Sequence, residues 1–472
     1  MKYLLFILAY LLVVVLYGLY ISKKKVKKSK DFATGGQSLP LIIVLGTLIA
    51  TWFGGGSITG CSNIVYTRGI IPGLVYQYAT PIGLILVFLL AGRIRATEET
   101  SIAGLFTRRY NKVAGILATI FIVLSYIGTA SYQFSGAGYI LNITTGIPAE
   151  IGTIIAAVII VLLCVSGGLM SVAYTDAISA CFVFICFIIA IPCLLMQSGG
   201  FGGLVSQIPD SYFTWSGGTG NASTTWGVLI ATSVLAMGDQ NLFIRFAASK
   251  DRKTAKKSAG LMIGGCLVLG TMVVLLESFA IPYLKDIAPD TALMMVAMKL
   301  LPFGIGAMVL AACVAFLVTT GDSYLLSSAM TLDQDLIVPY ILKDRERSDR
   351  QNMIRLRLLV VGVGVCAYLL ISQFTDILGI IMYAYTVYAA AITPSLVAAL
   401  LWKRATSAGA VASICIGGVT ALAWELFLKN TVGNGLDASL IAVPASVAAL
   451  IIVSLLTKAQ PEKVLKLEES EG

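Results

Sequence analysis

Thr319, Thr320, Asp322 and Ser323 crowd together in the stretch LVTTGDSYLLSS, inside a long apolar segment. Read as a helix, the stretch places Thr319, Asp322 and Ser323 on one face, at i, i+3 and i+4. Asp176, in SGGLMSVAYTDAIS, is a carboxylate inside another apolar segment. Hydroxyls, carbonyls and carboxylates are hard oxygen ligands, and a set with so little charge suits Na+ better than a divalent ion. Asp176, Thr319, Asp322 and Ser323 are therefore a candidate cation cluster. The competing reading is that each Thr hydroxyl bonds back to its own helix. Other chemistry has little to work with. The chain has no His, its nine cysteines form no CxxC pair, and no GxxxxGK loop occurs. Without a nucleophile–base pair, a transition-metal ligand set or a phosphate loop, the sequence does not read as an enzyme.

A second candidate site surrounds ATWFGGGSITG, residues 50–60. Three consecutive glycines weaken a helix, and irregular backbone at membrane depth is tolerated only where it is buried or lines a cavity. Unwinding there would free carbonyls and N–H groups. The alternative is close helix packing through Gly56-x-x-x-Gly60. Aromatic and amide side chains near the middle of apolar segments are the candidate walls: Trp52, Gly54 and Ser57 in this stretch, Tyr76 and Gln77, Tyr132 and Gln133, and Tyr383. Three further acids read as structural. Glu277 and Asp376 fall near segment ends and should reach the interface, and Asp239 lies close enough to Arg245 to pair with it.

These residues need elements to hold them. Of 472 residues, 58% are hydrophobic and 12% charged, more apolar surface than one or two soluble cores can hide. Apolar runs of about 20 residues, each able to cross the bilayer, recur along the chain. Thirteen spans are expected, at 3–21, 39–66, 71–92, 113–140, 148–166, 170–197, 223–247, 257–281, 303–330, 354–373, 375–402, 407–428 and 438–457. All but five of the 33 basic residues then fall in alternate loops; the exceptions are Lys2, Arg68, Lys285, Lys299 and Lys429. The positive-inside rule puts the basic side in the cytoplasm, with the N-terminus outside and the C-terminus inside a plasma membrane. The net charge of +9 is thus a topology signal and not a nucleic-acid footprint. Residues 3–21 lack an A-x-A site and precede the basic run KKKVKKSK, the pattern of a retained anchor. The partners expected are the lipid bilayer and a small organic solute, with no nucleic acid, no obligate protein partner and no organic cofactor.

The second span carries GGGS at its middle, and five spans later the seventh carries AMGDQNLF. Interrupted first helices in two halves are the mark of inverted repeats that bind solute at the midplane. The expected fold is an all-α polytopic membrane protein with a LeuT-like five-plus-five inverted repeat. One helix (3–21) leads, 39–197 and 223–402 form the repeats, 407–457 adds two helices, and 458–472 is a cytoplasmic tail. The outer segments 199–225 and IPYLKDIAPDTALMMVAMKLLP read as gates or as solvated connectors.

SGGLMSVAYTDAIS and GDQNLFIRFAASKDRKTAKKSA resemble segments of the sodium/solute symporter family, and the resemblance extends over about residues 5–457. It implies a symporter that takes Na+ as its coupling ion. It also implies a shared sodium site from the carbonyls of Ala50, Phe53 and Phe316 with the hydroxyls of Thr319 and Thr320. Some members bind a second sodium at the positions of Asp176, Thr319 and Ser323. Asp322, where Ser is frequent, would strengthen that site or take a proton. ATWFGGG is similar to the choline-transporter branch, and an aromatic cage around Trp52 would suit a quaternary ammonium. The fourth span has no Arg to match the carboxylate-binding one of the sialic acid branch, so a neutral, zwitterionic or cationic solute is expected.

Overall fold

A computed structural model describes residues 2–25, 35–97, 99–219, 221–343, 348–372, 377–428, 431 and 436–460. Asp376, much of KKKVKKSK and the tail beyond residue 460 lie outside the described residues. Helices carry the whole architecture. In chain order they are α1 (Lys2–Lys25), α2 (Leu41–Trp52), α3 (Cys61–Arg68), α4 (Ile70–Ala96), α5 (Ile102–Arg109), α6 (Lys112–Thr145) and α7 (Ala149–Gln197). Then follow α8 (Ala222–Gly238), α9 (Gln240–Ala248), α10 (Arg252–Ser278), α11 (Ala292–Lys299) and α12 (Phe303–Leu332). The chain closes with α13 (Asp349–Ile371), α14 (Ile377–Ala391), α15 (Thr393–Leu401), α16 (Ser407–Ala423) and α17 (Ser439–Leu456).

Among the described residues, eleven helical segments are long and apolar enough to cross a bilayer, and the bent pair Leu41–Trp52 and Gly56–Arg68 makes twelve. The expected span at 148–166 is present as the shorter apolar helix Ala149–Val165. It runs into the next span through a kink at Gly168 (φ 64°), a conformation that only glycine adopts without strain. Both expected interruptions occur. α2 ends at Trp52, Phe53 is extended, and a π-helical turn over Gly56–Gly60 leads into α3 at a bend of 53°. α8 ends at Gly238, Asp239 is extended (ψ 127°), and α9 begins at Gln240.

Local chemistry explains where helices start. Ser101, Asn111, Asp251 and Thr406 cap α5, α6, α10 and α16 by accepting a backbone N–H three residues on, and Ser348 forms a capping box with Gln351 on α13. All five lie at the end of the bundle that holds the basic loops. There the buried Arg109 donates to the carbonyls of Trp402 and Ala405 just past α15, a cation at a helix C-terminus. A short bridge, Leu39 N to Ala248 O and Lys250 N to Leu39 O, ties the start of the first interrupted span to the end of the second.

α10 packs along α4 and α2, α12 against α6 and α7, and α14 against α6. The two breaks are thereby enclosed by α4, α6, α12 and α14. α1 lies against α7, held by Tyr10 to Ser179 and by Ser171 to the Gly18 carbonyl, while its other side exposes Leu5, Leu8, Leu12 and Leu16. Large apolar side chains on α7, α10, α13 and α17 are exposed in the same way, as a lipid-facing surface requires. One acid is misplaced by its sequence position. Glu277, expected at the interface, is wholly buried between α10 and α3. α10 ends one residue later, at Ser278, and the burial comes from α3 and α11, which cover that end through Ser62 and Leu293.

Candidate functional site

The first break presents its carbonyls to α12. Thr320 Oγ1 lies 3.1 Å from Ala50 O and 3.4 Å from Phe53 O. Thr319 Oγ1 lies 3.3 Å from both Ala50 O and Phe316 O. Five oxygens from two elements thus converge, and every one of the five residues is buried. Two hydroxyl protons serve four such contacts, so the group holds more lone pairs than protons. A small hard cation among these oxygens would balance the excess. Gly54 makes the approach possible, because a Cβ there would lie 2.5 Å from Thr320 Oγ1. A π-turn directly after the break is the kind of helical irregularity that gathers at functional sites.

On its other side the break meets aromatic and amide groups. Gly55 N donates to Gln133 Oε1 at 2.7 Å, while Gln133 Nε2 is buried without a partner. A Cβ on Gly56 would lie 2.5 Å from Tyr385 Oη and 2.8 Å from Tyr76 Oη. Tyr132 Oη donates to Tyr385 Oη at 3.4 Å. Tyr76, Tyr132 and Tyr385 therefore form a sealed cluster over Gly55 and Gly56. Gln77 reaches the Ser57 carbonyl at 3.4 Å. Trp52 is half-buried and donates from Nε1 to Thr80 at 2.7 Å, so its indole is anchored to α4. Tyr383 does not join the cluster. It packs against Gly128 of α6, and Tyr385, two residues on and on the opposite side of α14, takes the place expected of it.

The carboxylate cluster differs from expectation in a specific way. Thr319 turns to Ala50, while Asp176, Asp322 and Ser323 gather around Arg245. Arg245 Nη2 lies 2.8 Å from Ser323 Oγ and 3.6 Å from Asp176 Oδ2, and its Nε donates to Thr47 Oγ1 at 3.0 Å. Thr47 in turn donates to Asp176 Oδ2 at 2.6 Å. Thr51 is 3.4 Å from both Asp176 Oδ2 and Ser323 Oγ, and Ser323 is 3.4 Å from Asp322 Oδ1. A guanidinium already supplies the positive charge beside Asp176, and its planar fork ties α2, α9 and α12 together. Sequence position hid this residue. The sequence counts it with the basic run SKDRKTAKK and offers Asp239 as its partner, whereas the break at Asp239 carries α9 back into the bundle with all nine residues buried.

Asp239 does not pair with Arg245. It caps α9 through Leu242 N (3.0 Å) and accepts from Tyr126 Oη at 2.8 Å. Tyr126 Oη also accepts from Asn241 N, and Tyr388 Oη links Gln240 N to Gly238 O, each at 2.9 Å. The second break is thus filled by side chains of α6 and α14, whereas the first offers its carbonyls to α12. Tyr126, Thr47 and Thr51 were the groups missed by sequence reading. The only signal was the i, i+4 spacing of Thr47 and Thr51 beside the glycines.

The family model for the sodium:solute symporter family matches residues 32–417. Among curated proteins the chain is 24% identical to the high-affinity proline transporter PutP of Bacillus subtilis, covering 94% of this chain and 96% of that one. It is 26% identical to the human high affinity choline transporter 1, over 86% of this chain and 72% of the relative. Among solved structures, a substrate-bound, outward-open Na+-coupled sialic acid symporter superposes with a TM-score of 0.80 at 19% identity, covering 97% and 98% of the two chains. Mhp1, a nucleobase-cation-symport-1 family transporter, superposes with a TM-score of 0.59 at 11% identity, covering 91% and 96%. Both likenesses speak to the fold, the interrupted-helix architecture described above.

Proposed function

Because the chain belongs to the sodium:solute symporter family, we propose that it carries one Na+ inward together with a small neutral or zwitterionic organic solute. The observation that supports this most directly is the five-oxygen group of Ala50, Phe53, Phe316, Thr319 and Thr320. It is assembled across two elements, α2 with its break and α12, so any motion that separates them dismantles it. Na+ would draw mutually repelling oxygens together and hold α12 against the break. Separation of the two would release the ion. That differential binding between two arrangements is the physical content of coupling by alternating access. Residues 39–197 and 223–402 form the two repeats in this reading. The basic end faces the cytoplasm, with the N-terminus outside and the C-terminus inside a plasma membrane.

The solute site in this reading lies at Gly54–Ser57, walled by Tyr76, Gln77, Tyr132, Gln133 and Tyr385, with Trp52 at its edge. Gln133 Nε2, buried and unpartnered, is a donor available to a solute carboxylate or carbonyl. Tyrosine faces suit a cationic nitrogen. Proline, betaine and choline share that nitrogen but differ in the carboxylate, which choline lacks. The test is thermal unfolding of the purified protein with each of them in NaCl and in KCl. Stabilisation by proline or betaine in Na+ alone, with choline weaker, supports the reading. Equal stabilisation in both salts contradicts sodium coupling.

A further inference from the structure

Glu277 has an environment that neither sodium nor solute explains. Its carboxyl is wholly buried. Oε1 accepts from Ser62 Oγ at 3.0 Å, and Ser62 Oγ accepts from Leu293 N at 3.1 Å. Oε2 has no hydrogen-bond partner. One carboxyl thus joins three elements: α10, which carries it, α3, the far half of the first interrupted span, and α11. Two neighbouring contacts fasten α3 to the same connecting segment. Asn63 Nδ2 donates to Asp290 at 3.0 Å, and Tyr66 Oη donates to Leu284 O at 2.9 Å. All lie at the end of the bundle away from the basic loops, which we assign to the outside.

The titratable groups facing Glu277 are Cys61 of α3, Tyr76 of α4 and Cys313 of α12, with Cys186 of α7 behind Cys313. Asp290 stands beyond Asn63. No Lys or Arg pairs with Glu277 among the described residues. An ionised carboxylate here would be a buried charge with one oxygen unsatisfied, a costly arrangement. A neutral carboxyl fits the packing far better. Parting α3 from α11 would let water reach the group and remove the penalty on its ionised form.

We propose that Glu277 is a proton-binding site that links closure of the outer face to external pH. Protonated, it holds α3, α10 and α11 packed as described; ionised, it favours their separation. The proton binds the packed arrangement more tightly than the open one, so it can only shift the balance toward packing. Acid therefore closes the outer face, and alkali opens it. Sodium plays no part in this switch, and the two readings can fail separately.

The test is amide hydrogen exchange of the full-length protein in lipid nanodiscs, without sodium or solute, at several values between about pH 5.5 and 8.5. Rates are corrected for the pH dependence of chemical exchange. Protection over Cys61–Arg68 and Ala292–Lys299 should fall at least tenfold toward alkaline pH, while Ser407–Ala423 and Ser439–Leu456 stay constant. In Glu277→Gln the same two helices should remain protected throughout. Ser62→Ala, which removes a donor to the ionised oxygen, should move the transition to higher pH. A flat wild-type profile overturns the proposal, as does an unchanged transition in Glu277→Gln or, should that variant not fold, in Ser62→Ala.

Discussion

Thr320→Ala removes one oxygen from a group of five and leaves the rest of α12 intact. The lost hydroxyl stands 3.1 Å from Ala50 O and 3.4 Å from Phe53 O, so among the described residues it is the side chain that hydrogen-bonds both carbonyls of the break. A hydrogen-bond-strength contact to a charged partner contributes about 1.5–3 kcal/mol. At about 1.4 kcal/mol per tenfold, that predicts sodium binding weakened by roughly 10- to 150-fold. The consequence for stability follows from mass action. A site at 100 times its Kd is stabilised by about 2.7 kcal/mol, and a hundredfold weaker site at the same Na+ by only about 0.4 kcal/mol. The assay is thermal unfolding in NaCl and KCl at matched ionic strength. The variant should lose most of the sodium-specific increment, and Thr320→Ser should restore it. If Thr320→Ala instead lowers Tm equally in both salts and keeps the full sodium increment, the hydroxyl is a strut between α12 and the break. The ligand assignment would then be wrong.

Three further predictions use the same preparation. Gly56→Ala places a methyl 2.5 Å from Tyr385 Oη and 2.8 Å from Tyr76 Oη; overpacking should cost about 1–3 kcal/mol and abolish solute-induced stabilisation while the sodium increment persists. Asp176→Asn leaves the Arg245 guanidinium buried without its nearest carboxylate, and breaking a buried pair costs about 3–5 kcal/mol. Adding Arg245→Gln should recover at least half of that loss in unfolding measurements, and a double variant no better than the single would show the pair is not the source. Tyr388→Phe strips Gln240 N and Gly238 O of their shared partner and should cost about 1–3 kcal/mol with unchanged sodium half-saturation. A tenfold change in that half-saturation would mean that the two breaks do not act separately.

Composition and spacing revealed the fold because lipid imposes hard limits: apolar runs of fixed length, few charges, and irregular backbone only where it is enclosed. Three glycines in an apolar run and the TTGDS cluster stood out against that background, and the structure brings Ala50, Phe53, Phe316, Thr319 and Thr320 together. What stayed hidden depends on direction and depth. Tyr383 and Tyr385 differ by two positions on one helix, about 200° of rotation, and only the packing of α14 on α6 decides which meets the break. Arg245 groups in sequence with its basic neighbours, while the break at Asp239 that returns it to the interior acts at a distance. Glu277 read as interfacial because it lies at the end of its span, yet α3 and α11 cover it there through Ser62 and Leu293. In each case the residue type was visible, and its partner came from an element far away in sequence.

The central claim is that movement of solute is driven by the sodium gradient through this chain alone. The direct measurement is uptake of the solute that stabilises the protein most, in proteoliposomes with an inward Na+ gradient or an equal K+ gradient. Accumulation above the external concentration with Na+, absent with K+ and strongly reduced in Thr320→Ala, is the predicted result. Equal uptake in both salts, or equilibration with no accumulation under the Na+ gradient, would contradict the account.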